Sequence, residues 1–513
     1  MIYVLIVLLI INLALACANY LHMFQLNFYK TDMHLHWCKS NIGKLVFRSV
    51  LSLCGLLVLT EPLILQVFAI VVLAFSIFLL IPKKKSKVPF KITGRVLRLF
   101  ALEAVITALI VSIKPNLNCT IIRLGIINVL APFLCLVANF VLYPIEKVGQ
   151  KRYIDSAKAI LEKHQDLTII GITGSYGKTS MKTFLTELLK QKYNVLTTPQ
   201  NYNTPLGIAR TIKTELKPTH QIFICEMGAM WKGEIAECCE LANPDLGIIT
   251  AIGPQHLQTF KTIDTIISTK FELADSVAKN DGVVFLDYDN QYIKKHHTKA
   301  NVVSYGVENE KLDYYADKLK SSSEGQRFTI NHEGKKLECQ AKLLGFHNTE
   351  NLTGAIAVAK YLGVSDKDIQ YALKHIKGAP HRLELNNRGN LSIIDDTYNS
   401  NPVSSKLAVD TLSEFEGKQV VITPGLIELG DDEERYNQEL GEHIAKQEID
   451  HVYLVGRGSQ TAAIEAGLTA KKFDASKIQY VKSPQEGVSY ATRRFPSEKL
   501  NILLLNDLPD NYN

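Results

Sequence analysis

The segment of this 513-residue chain best equipped for chemistry is Gly171-Ile-Thr-Gly174-Ser-Tyr-Gly177-Lys178-Thr179-Ser180. Glycines let backbone N–H groups turn toward phosphate oxygens, and a helix that starts at the lysine adds the positive end of its dipole. In such a cradle Lys178 neutralises the β- and γ-phosphates of a nucleotide and the Thr179 hydroxyl holds magnesium, with Gly174, Ser175, Gly177 and Ser180 shaping the turn. The strict phosphate-loop pattern asks for glycine at 172, where this chain has Ile172. The context carries the reading instead. Residues 167–172 (LTIIGI) form a short apolar strand and 180–191 have helical spacing, so the glycines lie between strand and helix.

Further candidates follow along the chain. Phe223-Ile-Cys-Glu226 ends an apolar strand with a carboxylate, a ligand suited to a hard cation. His256 and Lys270 come next, 14 residues apart. Taken singly, Glu226 reads as a strand-end charge, His256 as a capping or core histidine, and Lys270 as a solvated helix residue. Later stand Gly345-Phe-His347-Asn348-Thr-Glu-Asn351, Pro380-His381-Arg382, and Asp395-Asp396-Thr-Tyr398-Asn399-Ser-Asn401-Pro402.

In this order the pieces resemble the Mur ligases, most closely the branch that adds D-alanyl-D-alanine. The resemblance is strong over about 165–440, weaker beyond, and absent from 1–150. It implies ATP and Mg2+ as cofactors, with Thr179, Glu226, His256 and Lys270 around the metal ions. Lys270 would be carbamylated, which requires a neutral, partly buried amine. Lys178, His256, Lys270 and Arg382 would serve catalysis. His347, Asn348 and Asn351 would face adenine and ribose, Arg382 the γ-phosphate, and Asp396 the nucleotide or metal. Asn201 and Asn203 lie in the segment expected to meet the acceptor, although Thr204 and Pro205 stand where the family has a second asparagine and an acidic residue.

The elements that must position these residues divide the chain in three. Residues 153–378 alternate strands and helices as an ATP-binding domain. Residues 379–513 do the same as a doubly wound, Rossmann-like C-terminal domain, giving an α/β fold overall. Residues 1–150 are different, with apolar runs at 2–19, 46–60, 63–81, 99–113 and 124–143 that read as an all-α transmembrane region of about five spans. Residues 1–152 hold 16 Lys/Arg against four Asp/Glu in a chain of net charge +6, so the remainder is slightly acidic. The excess is gathered at Lys30, Lys39, Lys44 and Arg48, at Lys83, Lys84, Lys85, Lys87, Lys91, Arg95 and Arg98, and at Lys147, Lys151 and Arg152. Such clusters speak of topology, not of nucleic acid: all three in the cytoplasm puts the N-terminus outside and the ATP-using part inside. Nine cysteines form no CxxC pair, which excludes a zinc ribbon or a dithiol redox motif.

The expected reaction is amide formation through an acyl phosphate, at the cytoplasmic face of a membrane. The partners would be a cell-wall precursor, an amino acid or dipeptide, the lipid bilayer and proteins of envelope synthesis. UDP-MurNAc-tripeptide with D-alanyl-D-alanine is the first substrate reading. A lipid-linked acceptor, or synthesis of a poly-γ-glutamate-type polymer, is the alternative. A transporter ATPase is disfavoured because no LSGGQ-like segment is present, and a scaffold because the nucleotide and metal positions are all filled.

Overall fold

The computed structural model describes residues 2–60, 62–81, 89–113, 116–199, 202–322, 325–398 and 400–507, with the backbone alone for Ser321 and His347. They form two compact units, one reaching to Lys151 and the other spanning Arg152–Asp507. Glu61, Lys83, Lys84, Lys85, Lys87, Asn201, Asn399 and the tail 508–513 lie outside the described residues.

The first unit is helical. Among the described residues four stretches are long and apolar enough to cross a membrane: Ile2–Leu26, Ile42–Leu59, Leu63–Leu80 and Leu117–Leu161. The apolar run at 99–113 falls in a fifth helix, Gly94–Ser112, whose Arg95, Arg98 and Glu103 set it apart from those four. Leu5, Leu9 and Leu73 are fully buried while Phe68, Val71, Phe75 and Phe140 face outward. Helices apolar on every side are suited to lipid and not to water. Inside, the Asn12 amide donates to Ser76 Oγ at 2.7 Å, a polar tie between helices of the kind lipid-embedded bundles use.

The second unit holds two sheets. The strands of the first are β1 Thr168–Thr173, β2 Val195–Thr197, β3 Ile222–Glu226, β4 Leu246–Ile249, β5 Val283–Asp287, β6 Asn301–Val307, β7 Tyr314–Ser322, β8 Gly325–His332 and β9 Lys335–Ala341. Their order is β2-β3-β1-β4-β5-β6-β7-β8-β9. Pairing is parallel from β2 to β7 and antiparallel from β7 to β9. In β1, Ile170 and Ile172 pack with Met181 and Phe184 on one face, and Ile169 with Phe223 and Phe271 on the other. A strand covered on both faces must be apolar throughout, which is why LTIIGI shows no alternation. β1 lies between β3 and β4, where the strand order reverses, and parallel sheets place ligands beyond the carboxyl ends of strands at such a point.

The second sheet comprises β10 Glu384–Arg388, β11 Leu391–Asp396, β12 Lys418–Thr423, β13 His451–Val455, β14 Ile478–Val481 and β15 Leu500–Leu505, in the order β10-β11-β15-β12-β13-β14. Only β10 runs antiparallel to its neighbour. The last apolar run is therefore a central strand. Asn506, just after it, donates to Gly425 O at 2.7 Å and accepts from Ser400 N at 3.4 Å, tying together the loops that follow β11 and β12.

Candidate active site

The turn after β1 requires its glycines. Gly174 has φ 153° and Gly177 φ 83°. A side chain on Gly174 would run into Thr250, and one on Gly177 into the Asn351 amide. The loop after β4 braces the turn. Ser175 N donates to Ala251 O at 2.6 Å, Ser175 Oγ accepts from Gly253 N at 3.1 Å, and Thr250 Oγ1 donates to Tyr176 O at 2.6 Å. Ser175 is thus committed to bracing. Lys178 opens the helix Lys178–Leu189 and its ammonium curls back to donate to Gly174 O at 2.6 Å and Ser175 O at 3.1 Å. Burial pulls its pKa down to about 8, with Glu226 opposing the shift and Arg382 adding to it.

Glu226 ends β3, 3% exposed. Its carboxylate accepts from Thr179 Oγ1 at 3.2 and 3.3 Å and from the Asn203 amide at 3.5 Å, and pairs with Lys182 Nζ at 3.0 Å. Lys182 also donates to Thr198 O at 2.8 Å, while Thr198 Oγ1 accepts from Glu226 N at 3.1 Å. Sequence reasoning passed over Lys182 and Thr198. The available signal was spacing, since Lys182 sits four residues after Lys178 on one helix face. A carboxylate offers about four lone-pair sites, so three donors leave room for a hard cation beside the Thr179 hydroxyl.

Lys270 lies on the helix Ile263–Ala278 and is 2% exposed. Among the described residues its ammonium has no hydrogen bond or ion pair, and the Phe260 ring centre is 5.8 Å away. Burial first, and Lys178 second, lower its pKa to about 7. Glu272, a little further on, accepts from Gly233 N and Ala236 N at 2.9 Å, which locks this helix to the start of Glu234–Ala242. A buried amine without a partner that loses its proton near neutrality meets the chemical requirement for carbamylation. His256 precedes the short helix Leu257–Phe260 in left-handed backbone, φ 50°, and its Nδ1 is 2.6 Å from Glu428 Oε2.

Between the two sheets a cleft of about 210 Å³ is lined by Gly177, Ser180, Asn351, Arg382, Asp396 and Glu350, among others. The Arg382 guanidinium lies 4.8 Å from the Tyr398 ring centre. Burial raises the Asp396 carboxyl to about 7 although Arg382 pulls the other way, and its Oδ1 accepts from Leu383 N at 3.3 Å. Asn348 is not brought to the cleft lining. It is buried and donates to Leu344 O at 2.7 Å, fastening the start of the helix His347–Tyr361. The His347 side chain and Asn201 are outside the described residues, and Asn203 stands by Glu226 and not in the cleft. An acidic group at the other wall, Asp287, Asp289 and Glu350, was not foreseen. Burial and mutual repulsion push Asp287 well up and Glu350 to about 7.

A glycine-rich turn at the switch point of a parallel sheet, with buried lysines and a carboxylate beside it and a second α/β domain across a cleft, defines a nucleotide-using enzyme of two domains. Residues 172–359 match the family model of the Mur ligase middle domain, and 381–504 that of the Mur ligase glutamate ligase domain. The chain is 33% identical over 327 residues to the UDP-N-acetylmuramoyl-tripeptide–D-alanyl-D-alanine ligase of Bacillus subtilis (strain 168), covering 63% of this chain and 69% of that one. The enzyme of the same name from Escherichia coli (strain K12) is 28% identical over 304 residues, 58% of this chain and 67% of that one. A crystal structure of MurF from Acinetobacter baumannii superposes with a TM-score of 0.63 at 26% identity, over 70% of this chain and 77% of the other. The chain belongs to the Mur ligase family and is an ATP-dependent ligase.

Proposed function

We propose that the enzyme joins a D-alanyl-D-alanine-like amine to the terminal carboxylate of a muramoyl-peptide precursor. The observation that supports this reading is that Lys178, the Thr179–Glu226 pair and His256 follow the carboxyl ends of β1, β3 and β4, with Lys270 near enough to Lys178 for their charges to interact and Arg382 lining the cleft. The ligases named above supply the substrate class.

Thr179 and Glu226 would hold one Mg2+, and His256 with carbamylated Lys270 a second. Magnesium bound there draws negative charge from the phosphate oxygens. Lys178 and Arg382 hold the γ-phosphate from two sides, so that the acceptor carboxylate oxygen meets phosphorus in line. The bond from the γ-phosphorus to the bridging oxygen breaks, ADP leaves, and an acyl phosphate remains. The amine then attacks the acyl carbon, inorganic phosphate departs, and the amine proton passes to solvent. The two-domain cleft keeps water from the acyl phosphate.

The test is phosphate release by detergent-purified full-length protein given ATP, UDP-MurNAc-tripeptide and D-alanyl-D-alanine, with Lys178→Ala as the control. Release that needs all three substrates and disappears in the control is the expected result. One observation favours a second acceptor: neither family match reaches into the residues up to Lys151, where the apolar helices lie. The same assay with lipid-linked tripeptide separates the two. Release with that substrate alone would make the membrane-borne precursor the acceptor, and silence with both would exclude muramoyl peptides.

A further inference from the structure

We propose that Glu428 is the positioning residue for His256, fixing its ring for metal binding only when the C-terminal domain is closed. The inference rests on the reading of His256 as a metal ligand. His256 Nδ1 and Glu428 Oε2 are 2.6 Å apart, although 172 residues separate them in sequence. The two come from different sheets' loops, His256 from the segment after β4 and Glu428 from the one after β12.

The pairing is built into the backbone on both sides. His256 has φ 50° and Glu428 φ 63°, left-handed conformations that non-glycine residues adopt at a cost and keep where their surroundings enforce them. Gly430, φ 63°, lies against the backbone of Leu257 and Gln258, so the two loops meet over several residues and not through one side chain. Both partners are largely covered, at 16% and 23% side-chain exposure.

A carboxylate at Nδ1 holds the imidazole proton on that nitrogen and leaves the Nε2 lone pair for a cation. This carboxylate–histidine arrangement orients metal-binding histidines generally, and its removal lowers metal affinity about 10–100-fold. Here the carboxylate belongs to the other domain. Metal affinity at His256 and domain closure are then two sides of one equilibrium: closure strengthens the ligand, and the bound ion favours closure. The site is thereby completed when the cleft is shut.

Mn2+ binding to detergent-purified full-length protein with a non-hydrolysable ATP analogue tests this without turnover. Titration followed by electron paramagnetic resonance gives the affinities, and electron spin echo modulation from imidazole nitrogen reports histidine ligation. Glu428→Ala is expected to weaken the second Mn2+ about 10-fold or more and to abolish the nitrogen modulation, with the first Mn2+ unaffected. Glu428→Asp keeps the charge, shortens the reach, and is expected to behave alike, so the test survives poor folding of the alanine variant. Wild-type affinity and modulation in a folded Glu428 variant, with both lost in His256→Ala, overturn the positioning role and leave the metal reading intact. Wild-type behaviour of His256→Ala overturns the metal reading itself.

Discussion

Three lysines stand at the phosphate loop, Lys182 and Lys270 buried and Lys178 partly so, and each is held differently. Lys178 is satisfied by its own loop's carbonyls, Lys182 by the Glu226 carboxylate, and Lys270 has no polar partner among the described residues. The difference suggests what each does. An amine that burial keeps near pKa 7 is the one able to react with carbon dioxide, so Lys270→Ala is expected to lose most phosphate release and to regain part of it with short carboxylic acids. Full activity without additive would sink the carbamate assignment. Lys182 is a partner and not a reactant. Replacing it with methionine leaves Glu226 buried with its charge uncompensated, a situation that costs about 3–5 kcal/mol when a buried pair is broken. Thr179 and Asn203 still donate to the carboxylate, which puts Lys182→Met at the low end of that range, about 3 kcal/mol. Denaturant unfolding of the purified protein measures it, and a midpoint equal to wild type would show that the ion pair contributes nothing.

At the scale of elements, legibility follows distance along the chain. The phosphate turn was readable because β1, the glycines and the helix Lys178–Leu189 are contiguous, and each demand falls on neighbouring residues. Glu428-Leu-Gly430 is legible as a loop of the family type after an apolar strand. Neither its meeting with His256 nor the acidic group at β5 was readable, because nothing local distinguishes a loop glutamate from one that meets a histidine 172 residues away. Asn348 shows the converse case. Its motif position points to a ligand contact, while in the structure its amide donates one hydrogen bond to Leu344 O at the start of the helix His347–Tyr361, a local role that the motif does not reveal. The acidic group has a consequence of its own. Asp287 ends β5 and Glu350 rides on that helix, so sheet and helix packing forces carboxyls together. Glu350 ionises near 7 in the folded protein against an ordinary 4.5. Below about 4.5 both folded and unfolded forms hold the proton and nothing is lost. As pH rises to 7 the unfolded chain binds fewer protons than the native one, and stability falls. Glu350→Gln removes the titration. It is expected to melt about 2–4 °C above wild type at pH 8, with the gap shrinking toward zero at pH 5. An equal gap at both pH values would mean that the gain comes from packing and not from the charge.

At the scale of the whole molecule we propose that the apolar helices cross a membrane, and on that reading the helix Gly94–Ser112 decides whether the number of crossings is even or odd. If that helix stays out of the bilayer, four stretches cross, and the first helix begins on the same side as the catalytic unit. The loop with Lys30, Lys39 and Lys44 would then face outward, against the tendency of basic residues to stay in the cytoplasm. If it crosses, five stretches do, and the three basic clusters all fall on the side of the ATP-using domains. The helix itself fits a crossing. Its 19 residues reach about 28 Å, close to a hydrocarbon core of about 30 Å. Arg95 and Arg98 stand at its start, next to the basic loop, and are held by Asn139 at 2.9 Å and Glu146 at 2.7 Å, so neither charge is left bare. Glu103 is turned inward at 2% exposure, while Leu97, Val105 and Leu109 face out. Five crossings put the start of the first helix outside and Arg152 inside. Alkaline phosphatase fused ahead of the first helix and a fluorescent protein fused after Asp507 should therefore both be active in cells. A silent phosphatase beside a fluorescent C-terminus would mean an even number of crossings, with Gly94–Ser112 lying along the membrane surface.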